Sequence, residues 1–166
     1  MTTRVGRTLV WLLAPLVTLL DQLTKTAVLR SFTLGQQLEV IPGYLDLTLT
    51  FNKGIAFGML TQLPDLARQL TIVVATAAAL SAIVYFLLKH FREDRIAQAA
   101  LALIVGGAVG NIIDRLRHGQ VVDFIDVYYG SYHWPAFNLA DSAVCVGVFI
   151  LLFRPSRKSE PAKTGA

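Results

Sequence analysis

Four long apolar stretches divide the chain, and charged residues concentrate between them. A helix crosses the bilayer core with about 20 residues and satisfies its own backbone polar groups in lipid. The pattern therefore predicts a membrane all-α protein with four transmembrane helices, at about residues 8–29, 70–88, 96–113 and 137–153.

Two of the connecting segments have the pattern of β-strands. Leu45, Leu47, Leu49 and Phe51 alternate with polar or aromatic residues, which is the period of a half-buried strand. Residues 121–129 are rich in β-branched and aromatic side chains, with a glycine on either side. We therefore expect a small β-sheet on the outer membrane face, with its aromatic side chains at the lipid interface.

The composition agrees with a membrane protein of one domain. Hydrophobic residues make up 54% of the 166 residues and charged residues 16%, whereas soluble domains carry about 25% charged residues. Residues 1–153 are expected to form the membrane domain, and residues 154–166 a disordered cytoplasmic tail. Arg4 and Arg7 before an apolar run resemble a signal peptide, but no small-residue cleavage site follows, so the first helix is expected to be retained.

The basic residues predict the orientation, because cytoplasmic loops are enriched in Lys and Arg. The net charge of +4 forms no stripe that would suggest nucleic acid as a partner. One predicted side holds nine basic residues: Arg4, Arg7, Lys89, Arg92, Arg95, Arg154, Arg157, Lys158 and Lys163. The other holds five: Arg30, Lys53, Arg68, Arg115 and Arg117. Both termini are thus predicted to be cytoplasmic, and connections 31–69 and 114–135 external.

Cysteine and histidine residues give no sign of a metal site or a bound cofactor. Cys145 is the only cysteine, so an internal disulfide is excluded, and its apolar neighbours predict a small hydrophobic residue that faces lipid or a packed helix. His90, His118 and His133 are scattered, without the spacing of metal ligands.

Polar side chains recur near the outer ends of the predicted spans, where each must be compensated. Asn111, Asp114 and Arg115 share one face of the third helix by their i, i+3 and i+4 spacing, and Asn138 and Asp141 share a face of the fourth. The same depth is predicted for Asp21, Lys25, Asn52 and Asp123. We expect these residues to form one site.

Simpler structural interpretations exist for most of these residues. They are an ion pair within a helix for Asp21 and Lys25, a surface charge pair for Asp114 and Arg115, a helix N-cap for Asn138, and an exposed strand position for Asp123, like its neighbour Asp126. Asp141 is the hardest to explain in this way, because apolar residues follow it without a break.

Two carboxylates that share one proton can act together as base and acid without a metal. Asp123 and Asp141 are the candidate pair. Membrane aspartates also relay protons in ion-coupled carriers, and a non-catalytic lipid-binding scaffold is a third interpretation.

Five blocks in this order resemble the lipoprotein signal peptidase family, signal peptidase II: DQLTK at 21–25, FNKGIAFG at 51–58, GGAVGNIIDR at 106–115, VVDF at 121–124 and FNLADS at 137–142. Lys53 and Ile55 fall at positions that the resemblance leaves variable.

The resemblance implies a bacterial inner-membrane aspartic protease with four helices and an external β-cradle. Its substrates would be diacylglyceryl prolipoproteins, cut before the lipidated cysteine, and globomycin-like cyclic lipopeptides would inhibit it. By position, Asp123 and Asp141 match the catalytic pair. The supporting residues would be Asp21, Lys25, Asn52, Gly54, Asn111, Asp114, Arg115 and Asn138. Gly106, Gly107 and Gly110 match glycines of close helix packing.

Overall fold

The computed structural model describes residues 10–54, 63–90 and 94–154. The helices are α1 (Leu13–Ser31), α2 (Asp65–His90), α3 (Arg95–His118) and α4 (Leu139–Leu152). The strands are β1 (Gln37–Ile41), β2 (Leu45–Asn52), β3 (Val121–Tyr129) and β4 (Tyr132–His133). The four predicted helices and the two predicted strands are therefore present, whereas β1 and β4 were not predicted.

The helix bounds differ from the predicted ones where polar residues continue a helix. Helix α2 begins at Asp65 rather than residue 70, and α3 continues to His118 rather than ending at residue 113. The extra turn of α3 is charged, so the apolar pattern does not mark it. It ends at Gly119, which has a φ of +74° and donates its N–H to the carbonyl of Arg115. The predicted start at residue 8, the segment 55–62 and the tail residues 155–166 lie outside the described residues.

Glycines allow α3 to approach α1 and α4 closely. A Cβ on Gly106 would lie 2.5 Å from the carbonyl oxygen of Ala14, and one on Gly107 would lie 2.4 Å from that of Ala140. The hydroxyl of Thr18 in α1 donates to the carbonyl of Gly106 at 2.9 Å. Small residues are the common means by which membrane helices pack backbone to backbone.

Within the described residues, two helices are long and apolar enough to cross a membrane, namely Asp65–Tyr85 of α2 and α3. Only 6% of the apolar window of α2 is buried, compared with 50% for α3. Helix α4 is apolar but shorter, with 14 residues. The chain is thus rich in apolar helices and carries a small antiparallel sheet, in the order β1-β2-β3-β4.

The sheet is attached to the end of α1 by a small apolar cluster. Val28 of α1 packs with Leu49 of β2 and with Val122 and Phe124 of β3. In the same pair of strands, Thr50 of β2 is the cross-strand partner of Asp123 of β3. The expected half-buried alternation of β2 is only partly correct, because Asp46 and Thr48 are buried too. Both faces of this strand are covered in places.

Cys145 is exposed on α4 rather than packed against another helix. Gly147, two residues on, faces the other way, and a Cβ there would lie 2.6 Å from the carbonyl oxygen of Ala100. In an apolar helix that lipid can cover, apolar character does not distinguish a packed face from an exposed one.

Replacing Gly107 by alanine should destabilise the protein by about 1–3 kcal/mol, because the new methyl group overpacks the contact between α3 and α4. Thermal unfolding in detergent micelles measures this change. Leu116→Ala is the matched control, since Leu116 lies on the same helix and is 62% exposed. Equal stability of the Gly107 and Leu116 variants would contradict the close contact.

Candidate active site

Asn138 connects the two aspartates of the candidate pair. Its Oδ1 accepts the backbone N–H of Asp141 at 2.9 Å, and the Asp141 carboxylate accepts the backbone N–H of Asn138 at 3.3 Å. This reciprocal capping box starts α4. The amide nitrogen of Asn138 donates to Oδ1 of Asp123 at 2.7 Å. Asn138 is therefore the predicted helix cap and also bonds both carboxylates.

A backbone pairing brings Asn138 to this position. Ile125 of β3 donates its N–H to the carbonyl of Phe137 at 2.8 Å, and Phe137 donates its N–H back to Ile125 at 3.0 Å. This bridge aligns the residue before Asn138 with β3, two residues beyond Asp123. A strand and a helix terminus thereby meet side by side.

Asn111 orients the second carboxylate. Its Nδ2 donates to Oδ1 of Asp141 at 2.7 Å, and its Oδ1 accepts from the ammonium of Lys25 at 2.9 Å. Because an ammonium only donates hydrogen bonds, the oxygen of Asn111 must face Lys25. Its nitrogen must then face Asp141.

Lys25 also binds two carboxylates, and all three of these charged side chains are buried. Its Nζ lies 2.9 Å from Oδ2 of Asp21 and 2.9 Å from Oδ2 of Asp114. Asp21 accepts the backbone N–H of Ala140 at 3.0 Å, and Asp114 accepts that of Val122 at 3.1 Å. The cluster of Asp21, Lys25 and Asp114 thus joins α1, α3, β3 and α4. It is more than an ion pair within one helix, and Asp114 is not an exposed surface charge.

Gln22 belongs to the same network, although the sequence analysis gave it no role. Its Nε2 donates to Oδ1 of Asp114 at 2.8 Å and to the carbonyl of Gly110 at 3.2 Å. A Cβ on Gly110 would lie 2.5 Å from Oδ2 of Asp21, so only glycine leaves room for the carboxylate. The sequence feature that could have identified Gln22 is a polar amide next to Asp21 within an apolar helix.

Asn52 and Gly54 form a turn beside Asp123. The Oδ1 of Asn52 accepts the backbone N–H of Gly54 at 2.8 Å, and its side chain also hydrogen-bonds Asp123. Gly54 has a φ of +71°, and a Cβ there would lie 3.5 Å from Nη2 of Arg115. A side chain at this position would strain the turn and approach the guanidinium.

Arg115 lies near both aspartates of the candidate pair. Its charge interacts with those of Asp141 and Asp123, and its Nη1 donates to the backbone carbonyl of Asn111 at 3.3 Å. Its Nε is buried, with no hydrogen-bond partner in the described part of the chain. The carbonyl of Arg115 accepts a bond from the side-chain amide of Gln69 in α2. A donor is therefore available close to the carboxylates.

The carboxyl group of Asp123 is only 2% exposed. Its burial, and secondarily the negative charge of Asp141, raise its pKa to about 6. The hydrogen bonds from Asn52 and Asn138 and the charge of Lys25 oppose this shift. The two carboxyl groups are thus close enough for the charge on one to favour the protonated form of the other.

Asp126 and His133 lie apart from this site. Asp126 is buried rather than exposed, and its Oδ2 lies 2.9 Å from Nδ1 of His133. The ring of His133 stacks on Tyr128 with 4.9 Å between centroids. The exposed strand interpretation is therefore wrong for both Asp123 and Asp126. Among the described residues, no group of three or more His, Cys, Asp or Glu side chains is arranged to hold a metal ion.

Known proteins match most of this chain in sequence. The chain is 46% identical over 139 residues to a lipoprotein signal peptidase of Syntrophus aciditrophicus, which covers 84% of this chain and 86% of the relative. It is 43% identical over 154 residues to a lipoprotein signal peptidase of Burkholderia thailandensis, which covers 92% of this chain and 91% of the relative.

Two solved structures described as a bacterial membrane enzyme have the same fold. One aligns with a TM-score of 0.80 at 34% identity, and the other with a TM-score of 0.77 at 32% identity. Each alignment covers 92% of this chain and 95% of the solved chain. The family model described as signal peptidase (SPase) II matches residues 13–155. The chain therefore belongs to the signal peptidase II family of peptidases, as the sequence blocks implied.

Proposed function

We propose that this chain is an intramembrane aspartic endopeptidase that removes signal peptides from diacylglyceryl prolipoproteins, cutting before the lipidated cysteine. The bonds of Asn138 to both Asp123 and Asp141 carry the proposal. Two carboxylates that one asparagine holds close together can share a proton and activate water. The names of the relatives support the substrate class.

The surroundings of the two carboxyl groups suggest which of them holds the shared proton. Asp141 accepts hydrogen bonds from Asn111 and from a backbone N–H. It also lies in the first turn of α4, where the helix dipole favours an anion. Burial in the sheet raises the pKa of Asp123. We therefore assign the shared proton of the singly protonated pair to Asp123.

The reaction then balances without a metal or a covalent intermediate. Asp141 takes a proton from water as the water oxygen attacks the scissile carbonyl carbon, and Asp123 gives its proton to the carbonyl oxygen. When the tetrahedral intermediate collapses, Asp141 protonates the departing amine, and Asp123 recovers its proton from the hydroxyl. Both groups return to their starting states.

The other polar residues divide into two groups by what they contact. Asn52, Gly54 and Arg115 lie beside the carboxylates, and the unpartnered Nε of Arg115 is a donor suited to a substrate carbonyl. Asp21, Lys25, Asn111 and Asp114 hold the carboxylates and their strand in place. Globomycin-like cyclic lipopeptides would compete for the first group.

We place the enzyme in the bacterial inner membrane with four spans and both termini in the cytoplasm. The open apolar surface of α2 favours lipid as its neighbour. Helix α4 has 14 residues and rises about 21 Å, less than the roughly 30 Å of the hydrocarbon core. Its first turn would then lie within the outer leaflet, at the depth of a diacylglyceryl anchor. Residues 1–153 would form this single membrane domain.

Asp123→Asn and Asp141→Asn should each lower cleavage of a lipidated prolipoprotein by about 100- to 10,000-fold, since either change removes the shared proton transfer. The double variant should be hardly worse than either single one, because the two groups act as a unit. Turnover in detergent measures all three. Asp126→Asn is the matched control in the same strand and should stay active, because it contacts His133. Substantial cleavage by Asp123→Asn would refute the pairing.

The stability of the wild-type protein should fall as the pH rises from about 4 to about 6. The pKa of Asp123 is raised from 3.8 to about 6 in the folded protein. The contribution of Asp123 to stability is therefore fully present below pH 3.8 and is lost as the pH rises through about 6. The loss corresponds to roughly 3 kcal/mol at most. Unfolding of the wild type and of Asp123→Asn in detergent, across this range, tests the assignment. A variant with the same pH dependence as the wild type would contradict it.

A cysteine placed at Gln36 should react with a membrane-impermeant thiol reagent in intact spheroplasts, and one at Ser159 should not. Both variants need Cys145→Ala as background, because Cys145 is exposed on its helix. Disruption of the membrane should make Ser159→Cys reactive. External reaction at Ser159 in sealed cells would reverse the proposed orientation.

A further inference from the structure

A groove on the sheet lies along β2, the strand that pairs with the strand of Asp123. Its volume is about 650 Å³, within the range of pockets that bind small ligands. Leu34 and Phe51 supply part of the apolar lining, and Gln37, Thr50, Gln120 and Lys53 supply polar groups. Lys53 is the only charged residue among the described residues that line it.

The groove is continuous with the site through β2. Thr50 in the groove is the direct cross-strand partner of Asp123. Lys53 lies between Asn52, which hydrogen-bonds Asp123, and Gly54, whose N–H is bound by Asn52. The backbone of Lys53 is therefore held in place by its neighbour Asn52, which hydrogen-bonds the proposed catalytic residue Asp123. The side chain of Lys53 is exposed.

The chemistry of the groove selects one part of the substrate. A signal peptide is an apolar segment that remains in lipid, whereas the chain after the lipidated cysteine leaves toward water. Amide, hydroxyl and ammonium groups on the sheet suit the chain that follows the lipidated cysteine. The described residues of the lining include a cation, Lys53, and no acidic side chain, which favours an acidic side chain of the substrate there.

Building on the proposed function, we propose that this groove binds the first residues of the mature lipoprotein. Lys53 acts as a specificity residue that favours an acidic side chain just beyond the lipidated cysteine. An exposed ion pair contributes modestly, so wild-type kcat/KM should be about two- to fivefold higher for a prolipoprotein with Glu at the following positions than for one with Lys. The difference should appear in KM and weaken at high salt, which screens exposed charges.

Three matched lipidated substrates, with Glu, Gln or Lys after the cysteine, test the proposal on the full-length enzyme. Lys53→Gln should abolish the preference between the Glu and Lys substrates, and Lys53→Glu should reverse it. The Gln substrate is the reference for each enzyme, and kcat/KM for the Glu and Lys substrates is compared as a ratio to its value. Lys89→Glu is the matched control. It makes the same charge change near the C-terminal end of α2, and it should keep the wild-type preference.

The ratio between two substrates is independent of the amount of folded enzyme. A wild type without preference, an unchanged preference in Lys53→Glu, or an equal loss on all three substrates would each overturn the role of Lys53. Failure of the proposed function gives a different result, because the Gln substrate would then not be cleaved by the wild type at all.

Discussion

A lysine buried in an apolar bundle must satisfy all three of its N–H donors within the protein, and Lys25 does so with Asp21, Asn111 and Asp114. Removing one member of such a cluster leaves an uncompensated buried charge, which costs about 3–5 kcal/mol. The position of every element around the site depends on this arrangement. Asp21 holds the first turn of α4 through a backbone N–H, and Asp114 holds the start of β3 in the same way.

The same cluster determines the hydrogen-bond directions at the proposed catalytic pair. Lys25 fixes the amide of Asn111, and the backbone N–H of Asp141 fixes the amide of Asn138. Neither amide can turn over without losing a bond to a group that only donates. Each carboxylate therefore receives an amide N–H. The difference between the carboxylates comes from their elements, a helix N-terminus for Asp141 and a buried strand for Asp123.

Much of this fold could be predicted from the sequence, because apolar length and strand period are local properties. The four helices and strands β2 and β3 were found in this way. The predicted common depth in the membrane also grouped side chains that the structure brings into contact, such as Asn111, Asn138 and Asp141. Their partners were not predictable from local spacing: Asp114 stands beside Arg115 in the chain but binds Lys25 of another helix. The contacts of Gln22 and the burial of Asp126 were not predicted for the same reason, since only packing decides which face of an element is covered.

Helix contacts and site geometry are physically linked through the glycines of α3. Gly107 brings α3 against the carbonyl of Ala140, and the N–H of that same residue binds Asp21. Gly110, one turn later, leaves the space that the Asp21 carboxylate occupies. A larger residue at either position would separate α3 from α4 or move Asp21, and the bond from Asn111 to Asp141 spans that interface at 2.7 Å. Close packing and the alignment of the carboxylates are therefore consequences of the same small residues.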